Sequence, residues 1–420
     1  MSATSTSRIL FIGHQWPESK LTAAGWRTID LIQGFINHGS QIDFACTVGP
    51  VLEVEDAVMS GVTYHKISLN DDGFDLLLQK IQPQMVVFDR FMTEEQYGWR
   101  VRLKCPDAVT VLDTQDLHFL RKAREAYIDE FSSAFDASLC PPESLFGPLA
   151  MRELASIWRC DQTLVISKFE YALLTEHFSV PETLLTYLPL KSSLSSKAHQ
   201  AWENRRHFLW VGNRKQPPNH DSLMYLGQRL WPLILRELPG AQLHVVGANK
   251  DSRQSQMIAQ NKGMVEMDWV DDLQSLMTQY RVNLAPLRFG AGLKGKIISA
   301  MSCGLVTLTS AIGAEGLDLD EHNGLKVASD PQSFIEAAIG LYQKKEDWTQ
   351  AHESGLSFIQ GHFSIDRYMH HLVEDLTRIK EALLAHRQQH FIGQILQHQA
   401  HYASKYLGQY LTLKNKKATY

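Results

Sequence analysis

Cysteine is scarce in this 420-residue chain: the five residues, Cys46, Cys105, Cys140, Cys160 and Cys303, are scattered and form no Cys-x-x-Cys pair. That spacing suggests neither a disulfide framework nor a zinc site, and it points to a reducing, cytoplasmic setting. No apolar run approaches the ~20 residues needed to span a bilayer. The leader MSATSTSR also lacks the apolar core of a secretion signal. A basic excess is missing too. The formal net charge of -5 argues against a dedicated nucleic-acid binder. The eighteen histidines are dispersed, and neither His370–His371 nor His386, His390, His398 and His401 have the companions of a metal site. No metal and no bound cofactor are expected.

What is present is ordinary globular material. Hydrophobic residues make up 44% and charged residues 21%, enough for a sizeable core. The length favours two domains of roughly 180 residues each. Short apolar runs alternate with helical patterns twice over. In the first half the strand-like runs are 8–13, 41–48, 62–68, 84–89, 108–113 and 162–167. Ile29, Ile32 and Ile36 share a helical face, and Gly39 follows as a stop. Residues 191–207 are polar, basic and without period, as a linker reads. The alternation then restarts with runs at 207–212, 241–247, 281–287 and 305–310. Residues from Ser364 read as continuous helix, and the final KNKKATY as disordered.

This alternation predicts an α/β protein with two doubly wound, Rossmann-like parallel sheets facing a central cleft, and a long C-terminal helical segment. The expected division is a first domain at 1–190, a linker at 191–206, a second domain at 207–363, and helices and tail at 364–420 that partly cross back to the first domain. Ligands of such sheets bind beyond the carboxyl ends of the strands.

RFGAGLKGKIISAMSCG (288–304) follows the strand-like VNLAPL and opens a helix. Glycines at 290, 292 and 295 admit a ligand to the backbone, and the unpaired N–H groups and helix dipole favour an anion there. Lys294 and Lys296 add full positive charge. Leu293, Ile297 and Met301 form the buried stripe, while Lys296 and Ser299 share another side. Gly290 to Lys296 spells Gly-x-x-x-x-Gly-Lys, yet Ile297 stands where a P-loop needs Ser or Thr for magnesium. A P-loop ATPase is therefore a poor reading.

The segment LAPLRFGAGLKGKIISAMSCGLVTLTSAIGAEGL (284–317) resembles the donor-binding segment of family 4 glycosyltransferases of the GT-B fold. VGNRKQPPNHDSL (211–223), VDDLQSLM (270–277), VLDTQDLHFLRKAREA (111–126) and residues 151–174 agree in order. The resemblance covers residues 8 to 380, strongly in the second domain and more loosely in the first. It implies that the second domain holds a nucleotide-diphosphate sugar and the first a glycan, lipid-linked or small-molecule acceptor. Arg214 and Lys296 would neutralise the diphosphate, with Gly290, Gly292 and Lys294 beside it. Transfer with retention needs no dedicated base, because the leaving phosphate oxygen takes the acceptor's proton.

Two glutamates usual in that family are replaced here by Ala291 and Ser299. The second holds the ribose hydroxyls, so a neutral hydroxyl weakens the donor site, and Glu315 is a candidate substitute. Where the family places a histidine followed by aspartate, this chain reads Gln115 and Asp116, with His118 next along. Asp116 and His118 are the expected catalytic residues alongside Lys296, and Gly25, Arg27 and Gln115 the expected acceptor contacts. The run RKARE (121–125) reads as a solvated helix face. Ser167 fits either a landmark facing the cleft or a helix N-cap. The implied activity is glycosyl transfer in polysaccharide synthesis, in the cytoplasm or peripherally at the inner face of the membrane. A GT-B protein that survives as a binding scaffold is the alternative from a different class, and a nucleotide-sugar epimerase ranks last.

Overall fold

A computed structural model describes residues 7–17, 23–48, 59–197, 199–267, 270–317, 324–363 and 365–418. Seven strands form the first sheet: β1 (Arg8–Gly13), β2 (Gln41–Cys46), β3 (Val62–Lys66), β4 (Met85–Asp89), β5 (Val109–Asp113), β6 (Gln162–Val165) and β7 (Leu185–Tyr187). Their order is β3-β2-β1-β4-β5-β6-β7. Six more form the second: β8 (Arg206–Val211), β9 (Leu243–Val246), β10 (Met264–Glu266), β11 (Tyr280–Ala285), β12 (Val306–Ser310) and β13 (Lys326–Ala328). Their order is β10-β9-β8-β11-β12-β13. Every pairing in both sheets is parallel. Parallel pairs need crossover connections, and the helical stretches of the sequence supply them.

The chain divides into two compact units. The first holds Met1–Leu117, Gly147–Leu188 and Ile365–Tyr420; the second holds His118–Phe146 and Pro189–Ser364. Residues 118–146 therefore come from the first half of the chain but pack in the second unit.

In the first unit, Ile9, Phe11, Phe44, Val87 and Val111 form the sheet's share of a core. The helix Ala23–Asn37 covers it with Leu31, Ile32 and Phe35. The helix Ile365–Glu381 packs beside that helix through Met369, Leu372 and Leu376. A Cβ on Gly34 would stand 2.6 Å from the Met369 methyl, so the two helices meet closely there. In the second unit Trp210, Trp231 and Trp348 are buried in one cluster with Phe208, Leu284 and Phe334. Asp330 caps the helix Pro331–Gln343 in a reciprocal pair with Ser333.

Two expectations for the C-terminal segment need correction. It is not one continuous helix but three, Ile365–Glu381, Leu383–Gln389 and Phe391–Ala418, with Ala382 and His390 in non-helical conformations between them. Arg387 fixes the middle piece, its guanidinium meeting the Asp161 carboxylate at 2.8 Å and the Ala108 carbonyl at 2.8 Å. The end expected to be disordered is helical as far as Ala418, because Thr412 anchors it by donating to the Asn70 carbonyl at 2.8 Å.

Candidate functional site

In each sheet the order reverses between two strands, β1 and β4 in the first and β8 and β11 in the second. The loops leaving these strands diverge and open a crevice at the strand ends. Arg214 lies on the loop after β8, and Gly290, Gly292 and Lys294 on the loop after β11.

The β11 loop is held by its own unusual backbone. Gly290 has φ 154° and Gly292 φ 62°, values that a side chain resists. The Lys294 ammonium donates to the Gly292 carbonyl at 2.7 Å and is buried within the loop. The helix Gly295–Ser302 then begins with no side-chain cap. Leu293, Ile297 and Met301 are all buried, which turns the next side of the helix outward. Lys296 projects from that side, where its ammonium donates to the Asn219 amide oxygen at 2.6 Å and lies 5.6 Å from the centre of the Trp210 ring. Asn219 in turn donates to the Asn213 carbonyl at 2.9 Å, tying this lysine to the β8 loop. Although part of Lys296 reaches solvent, its ammonium has lost much of its hydration. That desolvation, with Lys294 nearby, lowers its pKa to about 7. The Asn219 oxygen is a neutral partner, so this charge is an open anion receptor.

Arg214 is fully buried, and its guanidinium pairs with Glu266 through Nη1. Its Nε and Nη2 atoms have no hydrogen-bond partner among the described residues. The Ser299 hydroxyl lies 4.0 Å from the sulfur of Met277, a weak contact to a residue of an apolar cluster. Glu315 follows β12 and is held by Arg124, whose two terminal nitrogens reach its carboxylate at 2.8 and 2.6 Å. The same Arg124 Nη1 also donates to the Gly290 carbonyl at 2.9 Å.

Arg124 corrects the reading of RKARE as a solvated face: it is 5% exposed, while Lys122 alongside is solvated and pairs with Glu125. Neighbouring residues tighten the same junction. Arg288 pairs with Asp221 at 2.7 Å and donates to the Ser132 carbonyl at 2.8 Å. Asp136 accepts from the Ala311 N–H at 3.2 Å. Residues 118–137 thus grip the glycine loop within the second unit. Asn219, Arg124 and Asp136 were missed from sequence because each acts through partners far along the chain.

At the switch point of the first sheet the charged groups engage one another. Arg27 pairs with Asp113 at 2.9 Å and donates to the Leu188 carbonyl at 2.6 Å. Gln115, in the left-handed region at φ 63°, donates to Asp113 at 3.0 Å and to Asp89 at 3.1 Å. Desolvation, reinforced by Asp89, raises the Asp113 pKa against the pull of Arg27. The fold therefore brings Arg27 and Gln115 together on one carboxylate. Gly25 is buried one half-turn before Arg27. Asp116 is partly exposed in the first unit, whereas His118 opens the helix His118–Glu130 in the second. Ser167 is buried as the N-cap of the helix Lys168–Ala172. Among the described residues no group of three or more His, Cys, Asp or Glu could hold a metal ion. No described helix is long and apolar enough to cross a membrane.

Two all-parallel, doubly wound sheets followed by C-terminal helices define the GT-B fold class. Sucrose-phosphate synthase from Thermosynechococcus elongatus superposes with TM-score 0.69 and 14% identity, over 90% of this chain and 100% of that one. The pneumococcal O-GlcNAc transferase in complex with UDP and GlcNAc superposes with TM-score 0.60 and 12% identity, over 89% and 99%. These likenesses carry the fold. Residues 205–344 match the family described as Glycosyl transferases group 1. An uncharacterized 44.6 kDa protein in the cps region of Klebsiella pneumoniae is 24% identical over 162 residues, 37% of this chain and 42% of that protein. The match therefore spans under half of that relative's length.

Proposed function

We propose that the chain transfers a glycosyl group from a nucleoside-diphosphate sugar to a glycan, lipid-linked or small-molecule acceptor, with retention of configuration. The observation that carries this reading is the Lys296 ammonium, desolvated and hydrogen-bonded to a neutral amide at the mouth of a glycine loop. In the reaction, the bond from the anomeric carbon to the diphosphate oxygen breaks and a bond to the acceptor oxygen forms. The acceptor's proton passes to the departing diphosphate. Charge grows on that leaving group, and cations already in place stabilise it without reorganisation. Lys296 supplies this charge, Gly290 and Gly292 admit the phosphates, and the helix Gly295–Ser302 aligns its dipole with them. Arg214 brings to the same loop system two nitrogens without a hydrogen-bond partner among the described residues. The reading uses side-chain cations rather than a metal ion or a resident cofactor. Arg27, Gln115 and Asp116 belong to the unit assigned to the acceptor, and His118 to the start of the helix that follows.

A second reading, a GT-B scaffold that binds nucleotide sugars without turning them over, draws on Ser299 and Glu315. Ser299 presents a neutral hydroxyl near Met277, and Glu315 is engaged by Arg124. One experiment separates the readings. UDP-glucose and related nucleotide sugars are titrated against thermal unfolding of the protein and of Lys296→Ala, and free nucleotide is then assayed over time. A shift lost in the variant, with nucleotide release in the wild type, supports the transferase. A shift without release supports the scaffold, and no shift at millimolar nucleotide sugar sinks both.

A further inference from the structure

From Ala382 to Tyr420 the chain contains no aspartate or glutamate, and it carries Arg387, Lys405, Lys414, Lys416 and Lys417. This is a sharp local contrast in a chain whose formal net charge is -5. Arg387 is engaged with Asp161, so the lysines set the character of the terminal helix. That helix, Phe391–Ala418, packs in the first unit through one side. Gly393 lies so close to the Trp158 carbonyl that a Cβ would come within 2.1 Å, and Gly408 is buried with its Cβ position 3.1 Å from the Trp99 ring. Gln397 donates to the Arg159 carbonyl at 2.8 Å, and Thr412 completes the anchorage.

The other side carries exposed apolar side chains. Phe391, Ile395, Tyr406, Tyr410 and Leu413 recur at helical spacings on it and are 63, 46, 60, 62 and 61% exposed. The stripe runs about 33 Å along the helix axis. A surface helix normally hides its apolar face, and scattered exposed residues need no explanation, but five large ones gathered on one side of a helix do. Tyrosines prefer the boundary between water and hydrocarbon, and lysines beside them can lie along the apolar surface while their ammonium groups reach phosphate.

We propose that the helix Phe391–Ala418 is an interfacial docking element that lays its Phe391–Leu413 stripe into the surface of an anionic lipid bilayer. The occupant is chosen by charge. An acid-free, lysine-bearing helix complements anionic headgroups, whereas two copies pairing through this face would bring like charges together. The helix lies in the interface and does not span it, consistent with its mixed composition. This inference stands apart from the nucleotide-sugar reading, since none of its residues lies on the glycine loop.

The test is co-sedimentation of the full chain with vesicles of phosphatidylcholine, with and without phosphatidylglycerol. The wild type is compared with Tyr406→Ser/Tyr410→Ser/Leu413→Ser and with Lys414→Gln/Lys416→Gln/Lys417→Gln. Circular dichroism and thermal unfolding confirm that each variant remains folded. Binding to the anionic vesicles is expected, with weak binding to neutral ones, and each variant loses about tenfold or more in apparent affinity. Raised salt weakens the wild type in the same direction. No sedimentation at millimolar anionic lipid overturns the proposal, as does sedimentation unaffected by the serine variant. Analytical ultracentrifugation supplies a further overturning result: a dimer that the serine variant dissolves, without lipid binding, assigns the stripe to a second copy of the chain.

Discussion

The two sheets share one topology, yet their switch points are chemically opposite. At the ends of β1, β4 and β5 a buried cation, two carboxylates and an amide satisfy one another: Arg27, Asp113, Asp89 and Gln115. At the ends of β8 and β11 the Lys296 cation faces a neutral amide, and two nitrogens of buried Arg214 have no hydrogen-bond partner among the described residues. The first arrangement stiffens a strand end. The second leaves positive charge available to an anion. The contrast teaches that the crevice geometry comes from strand order, while its use comes from which charges remain uncompensated. The largest effects should follow from exchanging these conditions.

Lys296→Met removes the uncompensated cation and should lower turnover, read as nucleotide release from UDP-glucose, by about a hundredfold or more. The same variant should keep or raise the unfolding temperature, because a desolvated ammonium is removed with no carboxylate left behind. Asp113→Asn should behave in the reverse way. It strands Arg27 in a buried site, and the expected loss is about 3–5 kcal/mol in chemical denaturation. If Lys296→Met destabilises as much as Asp113→Asn, the distinction between the two switch points collapses.

Protonation offers a milder test. The free Lys296 has its pKa lowered to about 7, and a bound diphosphate raises it by supplying a negative neighbour. Binding therefore takes up a proton, so affinity is greatest below pH 7 and falls as pH rises through it. Calorimetry with UDP-glucose, whose diphosphate has no ionisation near neutrality, should show about a tenfold weakening from pH 6 to pH 8. Lys296→Met should flatten that dependence. A profile that is flat in the wild type removes Lys296 from the phosphate contact.

Sequence pattern revealed the sheets but not all of their edges. The alternation of apolar and helical runs located β1 to β6 and β8, β9, β11 and β12, since buried parallel strands read as continuous apolar runs. Leu185–Tyr187, Met264–Glu266 and Lys326–Ala328 escaped notice because three residues carry no period. The glycine-lysine loop was visible because its features are local: positive φ requires glycine, and charge is countable. The direction of Ser299 was not, since the stripe Leu293–Ile297–Met301 fixes which side is buried but not what covers each neighbouring position. Arg124 was invisible for a different reason. RKARE has the charge pattern of a solvated face, and the partners that bury Arg124 lie 166 and 191 positions away.

Arg124 also provides the smallest and most discriminating perturbation. It binds a carbonyl of the glycine loop and the carboxylate of Glu315 at once, which only a planar fork with several donors can do. It acts through the Gly290 carbonyl and the Glu315 carboxylate, so it is a positioning residue. Arg124→Lys keeps the charge and loses the fork, and it should free the Gly290 carbonyl while leaving Lys296 and Asn219 in place. The expected result is a several-fold rise in KM for UDP-glucose with kcat less affected, because uniform binding to a loosened loop weakens before charge stabilisation does. Unfolding should shift little, since the lysine can still pair with Glu315. A fall in kcat without change in KM assigns Arg124 to the chemistry itself. A loss of stability matching that of Asp113→Asn makes the junction merely structural.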